Sequence, residues 1–357
     1  MPRILVLPGD GIGVEVTNVS LDILEILGKK HGIEFEFETG LFGGSSIDAH
    51  GVPVTDEVLE KAKASDAVLM GAVGGPKWEN LEHSKKPESG LLAIRKELDA
   101  FANLRPAVVY PALADASTLK RDVVEGTDIM VVRELTGGIY FGSPRGVDSI
   151  SDSEEKGYNT MVYTTHEIER IARVAFDIAR KRKNKVTSID KANVLDVMQL
   201  WRTVVTNVRE KEYPDVELEH LYVDNAAMQL IRRPKSFDVM LAGNLFGDII
   251  SDEAAQLTGS LGMLPSASIG KGAIYEPVHG SAPDIAGQDI ANPIASLLTT
   301  AMMLKYSLDL DAAAGEIEAA VERVLEKGYR TADIFQEGTK KVGCAEMGRL
   351  VAEELNG

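Results

Sequence analysis

RILVLPGDGIGVEVTNVSLDILEILGKKHG, residues 3–32, is the stretch on which the fold reading turns. RILVLPG is apolar enough for a buried strand, and the following VEVTNVSLDILEILGKKHG carries Val16, Val19, Leu21, Ile23, Leu24 and Leu27 as the apolar positions of an amphipathic helix. Between the two, Gly9, Gly11 and Gly13 follow a strand and open a helix, much as a dinucleotide-binding turn does. The G-x-G-x-x-G pattern, however, needs glycine at position 14, which is Val14, and no acidic residue ends a second strand at the usual distance. The turn is tight and able to line a cofactor, but it is not a Rossmann fingerprint.

Outward from this unit, strand and helix alternate along most of the chain. IEFEFET alternates like a strand, residues 54–64 read as a helix, and DAVLMGAVG is a strand entering a glycine turn. Helices are predicted near 89–100, 165–182, 195–211, 246–258, 294–307, 311–327 and 345–355. Strands are predicted near 104–110, 128–134, 185–190, 218–223, 237–242 and 273–276. This order predicts an α/β protein with a largely parallel sheet. Between Thr136 and Thr164 the pattern breaks: Gly-rich GGIYFGSPRG and polar SDSEEKGYN flank short β-prone pieces, which reads as a protruding β-arm.

With 357 residues the chain is long enough for two domains, and 44% hydrophobic with 26% charged residues is ordinary for a globular enzyme. A net charge of −17 argues against nucleic acid or an anionic membrane as partner, so any anionic substrate needs a local basic cluster. The single cysteine, Cys344, cannot form an internal disulfide; it reads as a bystander in a reducing compartment, and a cytoplasmic location is expected. The apolar run that stops at Pro8 is too short for a signal peptide, and no stretch approaches the ~20 residues of a membrane span.

In GNLFGDIISDEAAQ (243–256), Asp248 and Asp252 stand four apart on a predicted helix and share one face. Their repulsion is relieved if a hard divalent cation lies between them, although such pairs are also common on solvated helices. Asp224, in LYVDNAAMQL where a strand hands over to a helix, makes a third carboxylate for an Mg²⁺ or Mn²⁺ site. Arg95, Arg105 and Arg133 each lie at an element end, positions that are often merely solvated but here suit bidentate grips on a dicarboxylate. Lys191 closes VTSIDK before a helix, where a buried lysine could act as a base once its pKa is lowered. Tyr140 either packs as a hairpin aromatic or presents its hydroxyl as a proton donor; local pattern leaves both open.

PGDGIG (8–13), VRELTGGIYFG (132–142), DKANVL (190–195), YVDNAAMQLI (222–231), GNLFGDIISDEAAQLTGSLGMLPSAS (243–268) and EPVHGSAPDIAG (276–287) together resemble the metal-dependent decarboxylating β-hydroxyacid dehydrogenases, the isocitrate/isopropylmalate dehydrogenase family. The likeness runs from residue 4 to about residue 350, and one departure is Val14, where the family usually has proline. It implies a doubly wound two-domain fold without a Rossmann turn, one domain of residues 1–100 plus 259–357 and a second of 101–258 with the dimer helices and the arm, and an active site in the cleft between them. The implied activity is NAD-dependent oxidative decarboxylation of (2R,3S)-3-isopropylmalate in leucine biosynthesis. Homoisocitrate, isocitrate and tartrate dehydrogenases, or a non-catalytic regulatory paralogue, are the alternatives.

On that resemblance, Arg95, Arg105 and Arg133 hold the substrate carboxylates, and Asp224, Asp248 and Asp252 bind Mg²⁺ or Mn²⁺. Lys191 (through a water or Asp224) takes the hydroxyl proton, and Tyr140 returns a proton to the enol. Lys191 and Asp224 come from the other subunit of a homodimer. Leu91 and Leu92, one helical turn before Arg95, form an apolar wall for the isopropyl group or simply a core contact. The loops 71–90 and 276–287 embrace NAD through Gly75, Glu88, His279, Gly280, Ser281, Ala282, Pro283, Asp284 and Ile285, with Asn292 as a further contact. Asp284 accepts the adenosine ribose hydroxyls and repels a 2′-phosphate, which favours NAD⁺ over NADP⁺, or it merely caps the following turn.

Overall fold

The computed structural model describes residues 1–356, and they cluster into two compact units. The first comprises Met1–Ala100, Val109–Gly126 and Ala255–Gly357; the second comprises Phe101–Val108 and Thr127–Ala254. Residues 109–126, which the sequence reading grouped with the second domain, cluster with the first unit: the 3₁₀ turns of Pro111–Ala116 accept a hydrogen bond at Ala112 O from Arg330 Nη2 (2.6 Å), which ties the excursion down.

In the first unit five strands lie in the order Glu36–Thr39, Arg3–Gly9, Ala67–Ala72, Ala273–Tyr275 and Ala267–Ile269. All neighbours are parallel except the last pair, which forms an antiparallel ribbon. The helix Gly13–His31 buries Val16, Val19, Ile23, Leu24 and Leu27 and ends at Gly32 in the left-handed conformation; Leu21 stays half-exposed. The helix Ile294–Tyr306 is buried from Ile294 through Leu304, and two of its hydroxyls find internal partners: Ser296 shares a 2.8 Å hydrogen bond with Ser20, and Thr300 donates to the Ser296 carbonyl at 2.9 Å, while the Thr299 hydroxyl has no partner. In the opening turn, a Cβ on Gly9 would stand 2.0 Å from the Ala72 carbonyl, and Gly9 and Gly11 both have positive φ. These glycines are required by close approach of the loop to the neighbouring strand end and to Ser281.

In the second unit the order is Ala102–Val108, Asp128–Glu134, Val239–Ala242, Lys185–Asp190 and Glu217–Tyr222. The first pair is antiparallel and the rest are parallel, as expected for a largely parallel sheet. The helix Thr165–Arg180 starts at a full capping box of Thr164 and Glu167 and buries Ile168, Ile171, Ala172, Ala175 and Phe176 on one stripe. The arm is a two-stranded antiparallel ribbon, Gly146–Ser151 with Glu154–Tyr158, shorter than the whole 136–164 break. Tyr140 lies outside it, in the single 3₁₀ turn Gly138–Tyr140. Among the described residues no helix is long and apolar enough to cross a membrane.

Candidate active site

Arg133 is the penultimate residue of the strand Asp128–Glu134, and Asp248 and Asp252 lie on the helix Asn244–Leu257 that follows the neighbouring strand. That adjacency brings the arginine to the helix: Arg133 Nη1 donates to Asp248 Oδ1 at 2.6 Å, Nε to the Asn244 carbonyl at 2.9 Å and Nη2 to Asn244 Oδ1 at 2.7 Å. Gly247 permits it, since a Cβ there would stand 2.7 Å from Arg133 Cγ. Arg105, from the antiparallel neighbour strand, gives Nη1 to Ser251 Oγ at 2.7 Å and stands 3.5 Å from Asp248 Oδ1 and 3.4 Å from Asp252 Oδ1. The i, i+4 carboxylates therefore share a face, and one guanidinium nitrogen lies close to both. Partial desolvation raises the Asp252 carboxyl above its ordinary value; Arg105 opposes this and Asp248 adds to it. The two carboxylates are hard-oxygen donors of the kind a divalent ion takes, and Arg105 neutralises part of their charge.

Tyr140 donates its hydroxyl to Asp248 Oδ2 at 3.1 Å, with Arg133 over its ring at 5.9 Å. Of the two readings open for Tyr140, this geometry presents the hydroxyl to the carboxylate cluster. Desolvation first, and the Asp248 charge second, raise the phenol pKa, so it keeps its proton across the working range.

Lys191 and Asp224 follow two paired strands whose last residues, Asp190 and Tyr222, are register partners. Lys191 Nζ meets Asp224 Oδ1 at 2.6 Å and draws the exposed carboxyl below its ordinary value. Lys191 is only half-buried, because it stands just past the end of an interior strand beside an exposed partner. Asp224 is not brought to the other two aspartates: among the described residues the one trio of metal-capable side chains with atoms within 4.8 Å is Glu15, Asp289 and Cys344. That trio is poorly suited to a metal, since burial, Glu15 and Asp289 push the Cys344 thiol up to about 12, and Asp289 Oδ1 already accepts from Ala345 N at 2.7 Å.

Asn244 is the residue that sequence reasoning missed here. Its side chain donates to the carbonyls of Leu135 (2.9 Å) and Gly137 (3.1 Å) while accepting from Arg133, and its backbone N–H donates to the Tyr163 hydroxyl at 2.7 Å. An asparagine between a strand and a helix reads as a cap, which concealed its part in aiming Arg133.

In the first unit, Arg95 forms a close buried ion pair with Glu276, and its Nε has no partner. Leu91 packs against a core of Phe42, Val58, Ile94 and Leu98, whereas Leu92 is half-buried outside that cluster. The loops expected to embrace a cofactor do interlock. Ser281 Oγ donates to the Gly74 carbonyl at 2.8 Å, Ile12 N to the Ser281 carbonyl at 2.8 Å, and the Glu88 carboxylate lies against Gly74. Asp10, unremarked in the sequence, latches three segments by accepting from Gly44 N, Ser45 N and Gly74 N at 2.8–2.9 Å. Gly75 and Pro283 line a cleft of about 350 Å³ beside it. His279 fits a ligand-binding role: its Nδ1 lies 2.9 Å from the Gly280 carbonyl, while its buried Nε2 lacks a partner. Burial holds its pKa below the ordinary value, so the ring is neutral. Ala282, Ile285 and the exposed Asp284 follow on the same loop, with Ala282 at φ +37°. Asn292 is committed elsewhere: its amide donates to Asp333 Oδ2 at 3.0 Å and accepts from Ile294 N at 3.0 Å.

Residues 3–351 match the isocitrate/isopropylmalate dehydrogenase family model. The 3-isopropylmalate dehydrogenase of Paramagnetospirillum magneticum is 60% identical over 361 residues, covering 99% of this chain and 98% of that protein. The one from Saccharophagus degradans is 58% identical, with 99% of each chain covered. Among solved structures, isocitrate dehydrogenase from Methylococcus capsulatus superposes with a TM-score of 0.89 at 33% identity, covering 100% of both chains. The chain belongs to the isocitrate/isopropylmalate dehydrogenase family.

Proposed function

We propose that the protein oxidises and decarboxylates 3-isopropylmalate to 2-oxo-4-methylpentanoate with NAD⁺ and Mg²⁺ or Mn²⁺. The observation that carries the chemistry is the convergence of Arg105, Arg133 and the Tyr140 hydroxyl on Asp248 within 3.5 Å. Cations for a dianionic substrate, hard oxygens for a divalent ion and a protonated phenol stand together. The substrate follows the sequence relatives at 58–60% identity, against 33% for the isocitrate dehydrogenase structure.

Arg95, Arg105 and Arg133 hold the two carboxylates, exchanging their present carboxylate partners for those of the substrate. Lys191, through Asp224 or a water, takes the C2 hydroxyl proton as hydride leaves C2 for the nicotinamide. The β-carboxylate then departs as CO₂, and Tyr140 protonates C3 of the resulting enol. Asp224, Asp248 and Asp252 would hold the metal, which when bound supplies positive charge for the oxidised oxygen and the enolate. Gly75, Glu88 and residues 279–285 would hold NAD; the unpartnered His279 Nε2 supports this, and the committed Asn292 amide gives it no support.

The active form is a homodimer in which Lys191 and Asp224 complete the site of the second copy. The apolar side chains exposed on these segments support this, namely Val194, Met228 and Ile231, each at least half exposed. The single, buried thiol suits the reducing cytoplasm, the proposed compartment. A panel of malate, isocitrate, tartrate, homoisocitrate and 3-isopropylmalate, assayed with NAD⁺ or NADP⁺ plus Mg²⁺ and with CO₂ detected, tests the reading. The expected result is the highest kcat/KM for 3-isopropylmalate with NAD⁺; a preference for isocitrate, or equal use of NADP⁺, contradicts it.

A further inference from the structure

Beneath the Lys191–Asp224 pair lies a buried ionic group to which the reaction assigns nothing. Asp190, the last residue of its strand, is fully buried, and the next residue is Lys191. Its carboxylate receives Arg202 bidentately, Nε to Oδ2 at 2.8 Å and Nη2 to Oδ1 at 2.9 Å. The same Oδ1 accepts from Ala192 N at 3.0 Å, so the Asp190 side chain holds the backbone on the far side of Lys191. The Lys191 carbonyl in turn accepts from Val194 N and Leu195 N at 3.1 and 3.0 Å, which fixes the turn that presents the lysine.

Arg202 reaches the second strand as well. Its guanidinium lies over the Tyr222 ring at 5.0 Å, and Tyr222 is the register partner of Asp190 and stands two residues before Asp224. One planar cation therefore spans the ends of both strands that deliver Lys191 and Asp224. Arginine suits this place because its fork matches a carboxylate while its face remains free to stack. His220 completes the group: Nε2 is 3.0 Å from Thr206 Oγ1, and the buried Nδ1, 4.0 Å from Asp190 Oδ2, has no hydrogen-bond partner. With Arg202 already neutralising Asp190, a charged imidazole is not needed there.

We propose that Asp190 and Arg202 are positioning residues for the proton-accepting pair, setting the distance and direction of Lys191 relative to Asp224. The proposal rests on the reading that Lys191 takes the hydroxyl proton. A buried ion pair is a poor source of net stability, since desolvation offsets much of its attraction, so a geometric purpose accounts better for its presence.

The test is a double-mutant cycle in the full-length enzyme with 3-isopropylmalate, NAD⁺ and Mg²⁺, using Arg202→Met, Lys191→Ala and both together. Arg202→Met is expected to lower kcat on the order of 100-fold, the effect of misplacing a catalytic group by about an ångström, with KM for 3-isopropylmalate nearly unchanged. On the Lys191→Ala background the same substitution should cost nothing further, because the group it positions is gone. Near-wild-type kcat for Arg202→Met, or a loss that multiplies with that of Lys191→Ala, overturns the proposal. Full activity of Lys191→Ala would instead retire the underlying assignment of the base, and the proposal with it. If Arg202→Met leaves Asp190 too costly to bury and the chain does not fold, Asp190→Asn/Arg202→Met removes both charges and enters the cycle with the same criteria.

Discussion

Arg133 has a side chain only 3% exposed and three donors fixed on the helix Asn244–Leu257, whereas the Asp224 side chain is 61% exposed and meets Lys191 alone among its named side-chain partners. Both groups belong to the second unit and both are assigned to one reaction, yet the first is set by packing within the chain and the second stands open. The difference teaches where the chain is self-sufficient. The proposed grip on substrate is preorganised by buried hydrogen bonds, while the proposed proton-accepting pair is held from below and offered outward, beside exposed apolar side chains that would suit a second copy.

The sharpest way to break the contrast is at Tyr140, the proposed proton donor beside Asp248. Tyr140→Phe should lower kcat about 10²–10⁴-fold, with steady-state turnover read by NADH formation and CO₂ release. Retention of activity would make the phenol a packing group. The contrast in rigidity predicts opposite stability effects on its two sides. Arg133→Ala leaves the Asn244 acceptors without their donor and Asp248 with only the longer Arg105 contact, and should cost about 3 kcal/mol in urea unfolding, whereas Asp224→Ala should leave stability unchanged. Leu92 tests specificity: because Leu91 also packs against the core and Leu92 does not, Leu92→Ser alone should reduce discrimination between 3-isopropylmalate and malate by about 1–3 kcal/mol, read from kcat/KM. A uniform loss on both substrates would make Leu92 a helix contact only.

The smallest effect concerns His220, under the open pair. Burial, and then Arg202, hold its pKa below the ordinary value of 6.5 despite Asp190. A base with a depressed folded pKa contributes stability above the unfolded pKa and loses it as pH falls through the folded one. Thermal melts should therefore decline as pH falls below about 6.5, the unfolded-state value, and His220→Gln should flatten that limb. An identical limb in the variant would show that His220 does not cause it.

Much of this architecture is legible in the sequence, because periodicity marks elements that bury a full stripe, such as Thr165–Arg180. The helix Gly44–His50 was missed since GSSIDAH is short and opens on residues that favour turns, and the strand Ala267–Ile269 is only three residues long. At the site, Arg105 and Arg133 stood out as cations expected at element ends and Asp248 and Asp252 as an i, i+4 pair on one helix face; Arg105 lies in mid-strand, and the structure brings the four together. Asn244 and Asp190 did not, because their importance lies in what they hold in place: one aims Arg133 and the other braces the turn at Lys191. Leu91 shows that spacing alone does not separate a core contact from a pocket wall, since its partly buried side chain packs against the core.

The central claim is that the two regions work together only across two chains. Inactive Lys191→Ala and inactive Asp252→Ala chains, mixed under subunit exchange, should regain part of the activity. In each heterodimer one site then carries both lesions and the other carries neither. Recovery approaching one intact site per heterodimer is the predicted result. No recovery, with exchange confirmed by mass-tagged subunits, would place each complete site within a single chain and contradict the account.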